Sequence, residues 1–302
     1  MRDITRVWKA TAQIVLLVAL CVCVAGVAQD TVEIRVLAED SLQTAIDLAP
    51  DGATLVLVGT EYRENIKIEK SIRLRGQAAE PVRVVGVRPG EPVCWIVGDG
   101  EGHTVVQLQN LEMAGAILGA CPAKPREVCP HGLLVHGDAR VALEDCVITA
   151  NPDEGVMLLD EAVCIFRDCS ISSNLCDGLA LLGQSSAELT NTAVSSNDGD
   201  GIEVWHTASL SMQDCEVNAN AADGILLMSG ANADIRSTRI TRNKWYGIRL
   251  HVDVEPCSCE RFGEEPPARW HGQLDGIGNT LYGNREGDLC PSKREYRWPI
   301  GF

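Results

Sequence analysis

The chain is poor in aromatic, methionine and histidine residues, and each shortage narrows its functional class. Aromatic residues make up 4% of the 302 residues, and there are 5 Met and 6 His. Scattered His and scarce Met residues provide no visible ligand set for copper. The sequence also lacks a Gly-rich phosphate loop and a nucleophile elbow, which are local signatures of many nucleotide-binding enzymes and hydrolases.

Positive charge is scarce as well. Lys and Arg number 26 against 42 Asp and Glu, which gives a formal charge of −16. We therefore expect no nucleic-acid partner. Such an acidic chain also repels polyanions, including polyuronates, unless a cation intervenes.

Long apolar runs are rare, and the clearest one lies near the N-terminus. The run Ile14–Val24 follows the basic residues Arg2, Arg6 and Lys9. This order predicts a secretion signal peptide over residues 1–28, and hence a secreted, periplasmic or cell-envelope protein with no membrane span after cleavage. The run is short for a membrane span, and an uncleaved anchor is the alternative.

Cysteine is plentiful, with 13 residues in the whole chain. Eleven of them follow the predicted signal peptide, and an odd number leaves at least one thiol without an intramolecular partner. In an exported protein, Cys121 and Cys129 are the best local disulfide candidates because they flank a short insertion. Cys290 is expected to pair with Cys257 or Cys259.

A repeat of 23 residues dominates the sequence. It places Gly at positions 132, 155, 178, 201, 224 and 247, and Asn at positions 151, 174, 197, 220 and 243. A fixed period of this length indicates stacked units that contact only their neighbours. We expect the Asn amides to hydrogen-bond along the stack, and the Gly residues to mark a positive φ or a close backbone approach.

Apolar residues alternate within each repeat. One and three positions after each Gly the residue is apolar, while the residue between them varies from Met157 to Glu203 to Arg249. Alternation resumes at positions seven to eleven and fourteen to sixteen, which predicts three short half-buried strands per 23-residue coil. The pattern favours an all-β parallel β-helix, and the leucine-rich repeat is the alternative because Leu143, Cys146, Ile148 and Asn151 also fit its template.

The flanking segments lack the regular period. Ser41–Ala49 is predicted to be a short helix with Ser41 as N-cap, which covers the open end of the first coils. We assign residues 29–251 to one β-helix domain with an insertion at 116–131, and residues 252–302 to an irregular C-terminal capping tail.

The segment SLQTAIDLAPDGATLVLVGTEYRENIKIEKSIRLRG and the rungs N-x-x-[DE]-G-[IVL]-x-[VL] resemble the pectin-lyase-like superfamily over about residues 33–250. This resemblance implies a right-handed, single-stranded parallel β-helix. The superfamily contains polysaccharide lyases, galacturonan hydrolases, alginate epimerases, glycan-binding proteins and a periplasmic protein that helps mature the copper site of nitrous oxide reductase. The fold does not choose among these activities. Similarity to polygalacturonases is limited to NDGDGIEV, without an adjacent Asp pair, Gly-His-Gly or Arg-Ile-Lys.

The position before the repeat Gly forms an acidic column of Glu154, Asp177, Asp200 and Asp223. Stacked about 5 Å apart, such carboxylates could bind Ca²⁺ or act in acid–base catalysis. The alternative is that Asp-Gly is copied for turn geometry alone.

Two further residues complete the catalytic hypothesis. Asp198 flanks the acidic column, and Arg242 belongs to a basic group beside it. An Arg beside a Ca²⁺-loaded acidic cluster suits β-elimination on a uronic acid, whereas a solvated face that balances charge is the alternative.

Trp205, Trp245 and Tyr246 lie in or near turns of neighbouring coils. Exposed aromatic rings in a row suit sugar binding, and packing of Trp245 under the C-terminal tail is the alternative. Taken together, the sequence predicts an exported β-helix that binds a glycan or cell-envelope partner along one face, without a recognisable catalytic site. A Ca²⁺-dependent polysaccharide lyase or epimerase, with Ca²⁺ as its cofactor, is the second hypothesis, and a purely structural envelope protein is the third.

Overall fold

A computed structural model describes residues 32–119, 129–252, 269–293, 297–299 and 301–302. The predicted signal peptide, residues 1–28, lies outside these ranges, as do Cys121, Cys257 and Cys259. The predicted disulfides therefore stay predictions. Within the described ranges, no helix is both long and apolar enough to cross a bilayer.

Short strands account for most of the regular structure. The first half of the chain contains β1 (Glu33–Val36), α1 (Leu42–Leu48), β2 (Thr54–Leu57), β3 (Glu61–Tyr62), β4 (Ile66–Ile68), β5 (Ile72–Gly76), β6 (Val82–Val85), β7 (Cys94–Val97), β8 (Val105–Gln109), β9 (Leu111–Ala114), β10 (Leu133–His136), β11 (Arg140–Glu144), β12 (Val147–Thr149) and β13 (Val156–Leu158). The second half contains β14 (Val163–Arg167), β15 (Ser170–Ser172), β16 (Leu179–Leu181), β17 (Ser186–Thr190), β18 (Ala193–Ser195), β19 (Ile202–Val204), β20 (Ser209–Gln213), β21 (Glu216–Asn218), β22 (Ile225–Leu227), β23 (Asn232–Arg236), β24 (Arg239–Thr241), β25 (Tyr246–Leu250), β26 (Leu274–Ile277), β27 (Thr280–Tyr282) and β28 (Gly287–Cys290).

These strands form three parallel sheets that run along one axis. The first sheet has the order β1-β2-β5-β8-β11-β14-β17-β20-β23-β26. The second sheet is β3-β6-β9-β12-β15-β18-β21-β24-β27, and the third sheet is β4-β7-β10-β13-β16-β19-β22-β25-β28. Each coil thus contributes one strand to each sheet, which confirms the right-handed parallel β-helix and excludes the leucine-rich repeat.

The register follows the 23-residue period. Leu133 pairs with Val156, and Val156 pairs with Leu179 in turn. All the inward positions predicted from the alternation are buried, including the small column Cys146, Cys169, Thr192, Cys215 and Thr238. One continuous apolar core therefore fills the bore of the helix.

The Asn residues form the expected buried ladder. From Asn151 to Asn220, each side-chain Nδ2 donates to the Oδ1 of the Asn on the next coil at 3.0 Å. Each Oδ1 also accepts from a backbone N–H of the preceding coil. The ladder thereby satisfies polar groups that the turn would otherwise bury without a partner.

The repeat Gly is required by close approach. A Cβ at Gly178 would lie 2.6 Å from the side-chain nitrogen of Asn197 and 2.7 Å from the carbonyl oxygen of Gly201. The Asn ladder and the Gly column are therefore two halves of one packing arrangement.

Helix α1 confirms the predicted N-terminal helix. The Ser41 hydroxyl accepts from the Thr44 N–H at 3.2 Å, as an N-cap should. Glu64 adds a second cap because its carboxylate accepts from the N–H groups of Leu42 and Gln43. Leu42 and Ile46 are fully buried in the core, so the helix closes the first coils.

The structure places one more coil within the predicted C-terminal tail. Strands β26, β27 and β28 pair with β23, β24 and β25. Asn284 extends the Asn ladder by accepting from Asn243 Nδ2 at 2.9 Å, although it follows 41 rather than 23 residues later. Insertion of a longer segment between coils hid this repeat from the sequence pattern.

Candidate functional site

The acidic column lies at the start of the third sheet, where it forms a hydrogen-bonded ladder. Asp177 Oδ1 accepts from the backbone N–H of Asp200 at 2.6 Å, and Asp200 Oδ1 accepts from that of Asp223 at 2.7 Å. Asp223 Oδ1 continues the series by accepting from the Tyr246 N–H at 2.9 Å. One oxygen of each Asp thus supports the backbone of the next coil, which is a structural role.

Burial gives this column unusual electrostatics. Asp200 and Asp223 are almost inaccessible, and so is Glu203 in the neighbouring strand β19. Burial, followed by repulsion from Asp223, Asp177 and Glu203, raises the pKa of Asp200 well above its usual range. The buried Arg249 lies 3.4 Å from Asp223 through its Nη1 atom and Oδ2 of the carboxylate, and so offsets part of the negative charge. Asp177, Asp200, Asp223, Glu203 and Arg249 therefore form one charged cluster.

Glu154 begins the same column but has a different partner. Its Oε2 lies 2.9 Å from Nδ1 of the fully buried His131. Burial acts to raise the pKa of Glu154, but the hydrogen bond and charge of His131 lower it to about 2. For the neighbouring Asp153, burial and then the charge of Glu154 raise the pKa to about 7.

The remaining catalytic candidates differ from the charged cluster in their exposure to solvent. Asp198 and Arg242 are both exposed, and Arg242 occupies a turn with a φ of 57°. Within the described part of the chain, Arg249 forms an ion pair with the acidic column through Asp223. The roles assigned to these residues, and the Ca²⁺ site at Glu154, Asp177, Asp200 and Asp223, stay predictions.

The three aromatic candidates are half-buried and packed against neighbouring side chains. Trp205 donates to Ser229 Oγ at 3.1 Å and stacks on His206 with ring centroids 5.2 Å apart. Arg249 lies 5.4 Å from the ring centroid of Trp245. Tyr246 begins β25 and packs against Gly287 of the next coil. Sugar binding by these rings stays a prediction.

The outward face of the third sheet differs from the expectation for a half-buried strand. The residues between the two inward positions are 5% exposed or less in six successive coils: Leu134, Met157, Ala180, Glu203, Leu226 and Arg249. Several of them form small apolar clusters separate from the core, one with Trp95 and another with Trp205. The varied chemistry of this column concealed that both faces of the sheet are buried.

The sequence analysis missed a groove on the outer face of the first sheet. It has a volume of about 490 Å³ and follows β14, β17, β20 and β23 towards β26. Its polar lining comes from Ser186, Glu188, Ser209, Ser211, Asn232, Asp234, Gln273 and Asp275. The alternating strand pattern assigns the polar lining residues of β17, β20 and β23 to the outer face, whereas Gln273 and Asp275 lie in the predicted irregular tail. The pattern does not show that this face is concave.

The groove is acidic and partly ordered by internal contacts. Arg236 donates to Asp234 at 2.8 Å, and Gln273 donates to Asp275 at 2.7 Å. Asp234 and Asp275 are direct partners in adjacent strands. Together with Glu188, they give the groove a negative surface with hydroxyl and amide groups between the charges.

A second depression of about 740 Å³ lies at the turns between the first and second sheets. Its polar groups bond one another, as in the contact between Asn191 and Asp168, or bond the backbone, as Asn110 does with Ala78 at 2.8 Å. These contacts serve turn geometry, so we favour the first-sheet groove as the candidate binding site.

Residues 131–256 match the family model described as right handed beta helix region. No curated protein matches the chain in sequence. Several solved structures do match in fold. An alginate lyase from Paenibacillus sp. str. FPU-7 has 16% identity and a TM-score of 0.56, with coverage of 85% of this chain and 97% of the lyase.

Two further structures show the same likeness. A pectin methylesterase from carrot has 13% identity and a TM-score of 0.56, with coverage of 87% of this chain and 89% of the esterase. The A-module of a mannuronan C-5 epimerase from Azotobacter vinelandii has 16% identity and a TM-score of 0.56, with coverage of 81% of this chain and 72% of the epimerase module. At these identities the likeness concerns the fold alone, and together with the three-sheet geometry it establishes that this chain is a right-handed parallel β-helix.

Proposed function

We propose that this protein binds a neutral glycan along the groove on the outer face of its first sheet. We further propose that it does so outside the cytoplasm, as the N-terminal sequence suggests. The observation that carries the proposal is the row of hydroxyl, amide and carboxylate side chains that lines a single concave surface over successive coils.

Spacing supports an extended ligand. Adjacent strands lie about 4.8 Å apart, so equivalent side chains recur at that interval along the groove. Ser186 and Ser209 are partners in neighbouring strands, and Asn232 follows in the next. Such a row offers hydrogen-bonding groups at regular intervals to a polymer of hydroxylated units. A small number of polar groups in fixed positions is enough to orient a ligand in a binding site.

Charge supports a neutral rather than an acidic ligand. Glu188, Asp234 and Asp275 line the groove, and the guanidinium of Arg236 is engaged by Asp234. A polyuronate would meet carboxylates at this surface and be repelled in the absence of a bridging cation. The names of the three similar structures refer to alginate, pectin and mannuronan, which supports a polysaccharide partner as a class.

Affinity gel electrophoresis and calorimetry with soluble neutral and acidic polysaccharides test this proposal. A bulky Ser211→Trp substitution in β20 should block the groove and abolish retardation by the neutral polymer that binds the native protein. Ser172→Trp, on the outer face of the second sheet, is the matched control and should leave binding unchanged.

Failure of every neutral polysaccharide to bind, or an equal loss from both Trp variants, would contradict the proposal. Absence of all carbohydrate binding would favour the purely structural envelope protein.

A second candidate function rests on the charged cluster around Asp200. Three stacked carboxylates with one raised pKa beside a buried Arg resemble the acid–base pairs that enzymes arrange. A Ca²⁺-dependent lyase or C-5 epimerase would use them on an acidic polysaccharide. The test is absorbance of unsaturated uronate products, and NMR of the uronate configuration, with Ca²⁺ and with EDTA. No change in either readout over alginate and polygalacturonate would remove this candidate.

A further inference from the structure

The turns before β10, β13 and β16 bring thiol, imidazole and carboxylate groups together. Ligand atoms of Cys129, His131 and Asp153 all lie within 4.8 Å of one another, and the same holds for Asp153, Glu154 and Cys176. Because Asp153 belongs to both groups, the five side chains form one mixed-donor cluster drawn from three successive coils. This cluster lies outside the first-sheet groove.

The cluster is enclosed but accessible from one side. Cys129, His131 and Glu154 are buried, whereas Asp153 and Cys176 are half-buried. Glu154 contacts both neighbours, with Oε2 at 2.9 Å from His131 Nδ1 and Oε1 at 3.7 Å from Cys176 Sγ. Asp153 Oδ2 lies 3.8 Å from the same ring nitrogen of His131. An ion could therefore enter past Asp153 and Cys176 and meet donors held by buried neighbours.

We propose that the mixed-donor cluster is a zinc site, with Cys129, His131 and Asp153 as ligands and Cys176 as the fourth. Thiolate, imidazole and carboxylate are the three ligand types that Zn²⁺ takes in proteins, usually four at a time. A calcium or magnesium site would contain oxygen ligands alone, and a copper(I) site would favour sulfur without carboxylate. The combination of sulfur, nitrogen and oxygen donors therefore favours zinc over calcium, magnesium and copper(I).

The separations suit a site that tightens on binding. Ligand atoms of a tetrahedral zinc site lie roughly 3.5 Å apart, as follows from bond lengths of about 2.0–2.3 Å. Within the group of Cys129, His131 and Asp153, contraction from 4.8 Å or less requires side-chain movement of about 1 Å. Cys176 lies within 4.8 Å of Asp153 and would move towards the other two ligands. Glu154 and the ligand Asp153 approach the same ring nitrogen of His131, Nδ1, so Glu154 would release that nitrogen when zinc binds.

Zinc would join the coils at the point where the regular repeat begins. Cys129 and His131 precede β10, Asp153 precedes β13, and Cys176 precedes β16. Binding releases the thiol protons to solvent, so affinity should fall as the pH is lowered. A disulfide between Cys129 and Cys121 would remove one ligand, so the zinc site and that disulfide exclude each other.

Metal analysis of the full-length protein, purified under reducing conditions and dialysed against metal-free buffer, tests the proposal. We expect stoichiometric zinc in the native protein and its loss in Cys129→Ser and His131→Gln. Cys215→Thr is the matched control, because Thr192 and Thr238 occupy the equivalent position in neighbouring coils, and it should retain zinc. Circular dichroism confirms that each variant is folded.

A second measurement keeps the test decisive if a ligand variant fails to fold. Titration of the metal-free native protein with Co²⁺ should produce a sulfur-to-cobalt charge-transfer band that Zn²⁺ displaces. The milder Asp153→Asn variant should bind Co²⁺ more weakly while it keeps the band. Absence of the band, retention of zinc by Cys129→Ser, or a Cys129 disulfide in the zinc-loaded protein would overturn the proposal. None of these readouts depends on glycan binding.

Discussion

At the scale of single residues, Asn197 illustrates how strongly one coil depends on the next. Its Oδ1 accepts from the backbone and the side chain of Asn174, while its Nδ2 donates to Asn220 and to the Ile171 carbonyl. All of these groups are buried. Loss of one amide therefore leaves partners on two neighbouring coils without their hydrogen bonds.

We expect Asn197→Ala to lower the free energy of unfolding by about 2–3 kcal/mol, because buried donors and acceptors lose their partners. Chemical denaturation monitored by circular dichroism gives this value. Asn218→Ala is the control, since Asn218 lies in β21 outside the ladder. A similar small effect in both variants would show that the ladder does not stabilise the coil stack.

Asp200 leads to a prediction about pH. Because its folded pKa is raised above that of the unfolded chain, the folded protein holds a proton that the unfolded chain releases. The contribution of the protonated Asp200 to the free energy of unfolding is fully present at low pH, below the unfolded pKa of about 3.9. It is lost as the pH rises towards the folded pKa. Each pH unit between the two pKa values corresponds to about 1.4 kcal/mol.

In metal-free buffer, the Asp200→Asn variant should therefore have a higher free energy of unfolding than the native protein at pH 8. Chemical denaturation at several pH values should also show that its free energy of unfolding depends less on pH. The Asn oxygen can still accept from the Asp223 N–H, so the ladder survives. Asp198→Asn, at an exposed position, is the control. An unchanged slope between pH 5 and 8 in Asp200→Asn would contradict the assigned protonation.

Residue contacts were predictable where the period alone determines them. The Asn stacking and the close approach at Gly178 follow from columns of identical residues. The burial of Glu203 and Arg249 was not predictable, because burial of an outward column depends on what packs over it. The mixed-donor cluster was also hidden, since Cys129 lies in an insertion and its neighbours belong to different columns.

At the scale of elements, the N-terminal helix shows how the solenoid closes its first coils. Leu42 and Ile46 join the core from α1, whereas Leu48 in the same helix is 79% exposed. Ser41 and Glu64 satisfy the helix N-terminus. The helix and its cap were predictable because the Ser41 signal and the apolar spacing are local.

The Leu42→Ala substitution should lower the free energy of unfolding by about 2–5 kcal/mol, as expected for a large-to-small change in a packed core. Leu48→Ala in the same helix should change stability by less than about 0.5 kcal/mol. Thermal unfolding of both variants tests this contrast. Equal melting temperatures would mean that α1 does not pack on the core.

The coil formed by β26, β27 and β28 was less predictable. Its strands continue all three sheets, yet Asn284 is displaced from the 23-residue period. Pattern recognition fails when an insertion changes the spacing, even though hydrogen bonding between coils continues. A search that allows one variable gap per coil would have found Asn284.

At the scale of the whole molecule, a stack of similar coils produces long columns of side chains on each face. The inward columns build the core, and the outward columns on the first sheet build an acidic, hydroxyl-rich groove. Fold class could be predicted from the sequence because the core columns repeat. The groove could not, because a pattern of inward and outward residues does not determine the shape of the outer surface.

The most direct test of the glycan-binding account is hydrogen–deuterium exchange of the native protein with and without the neutral polysaccharide that binds it. We predict slower exchange in β14, β17, β20 and β23, whose outer face forms the groove, and no change in β15, β18 and β21 of the second sheet. Protection confined to the second sheet, or none in any strand at a saturating polysaccharide concentration, would contradict the account.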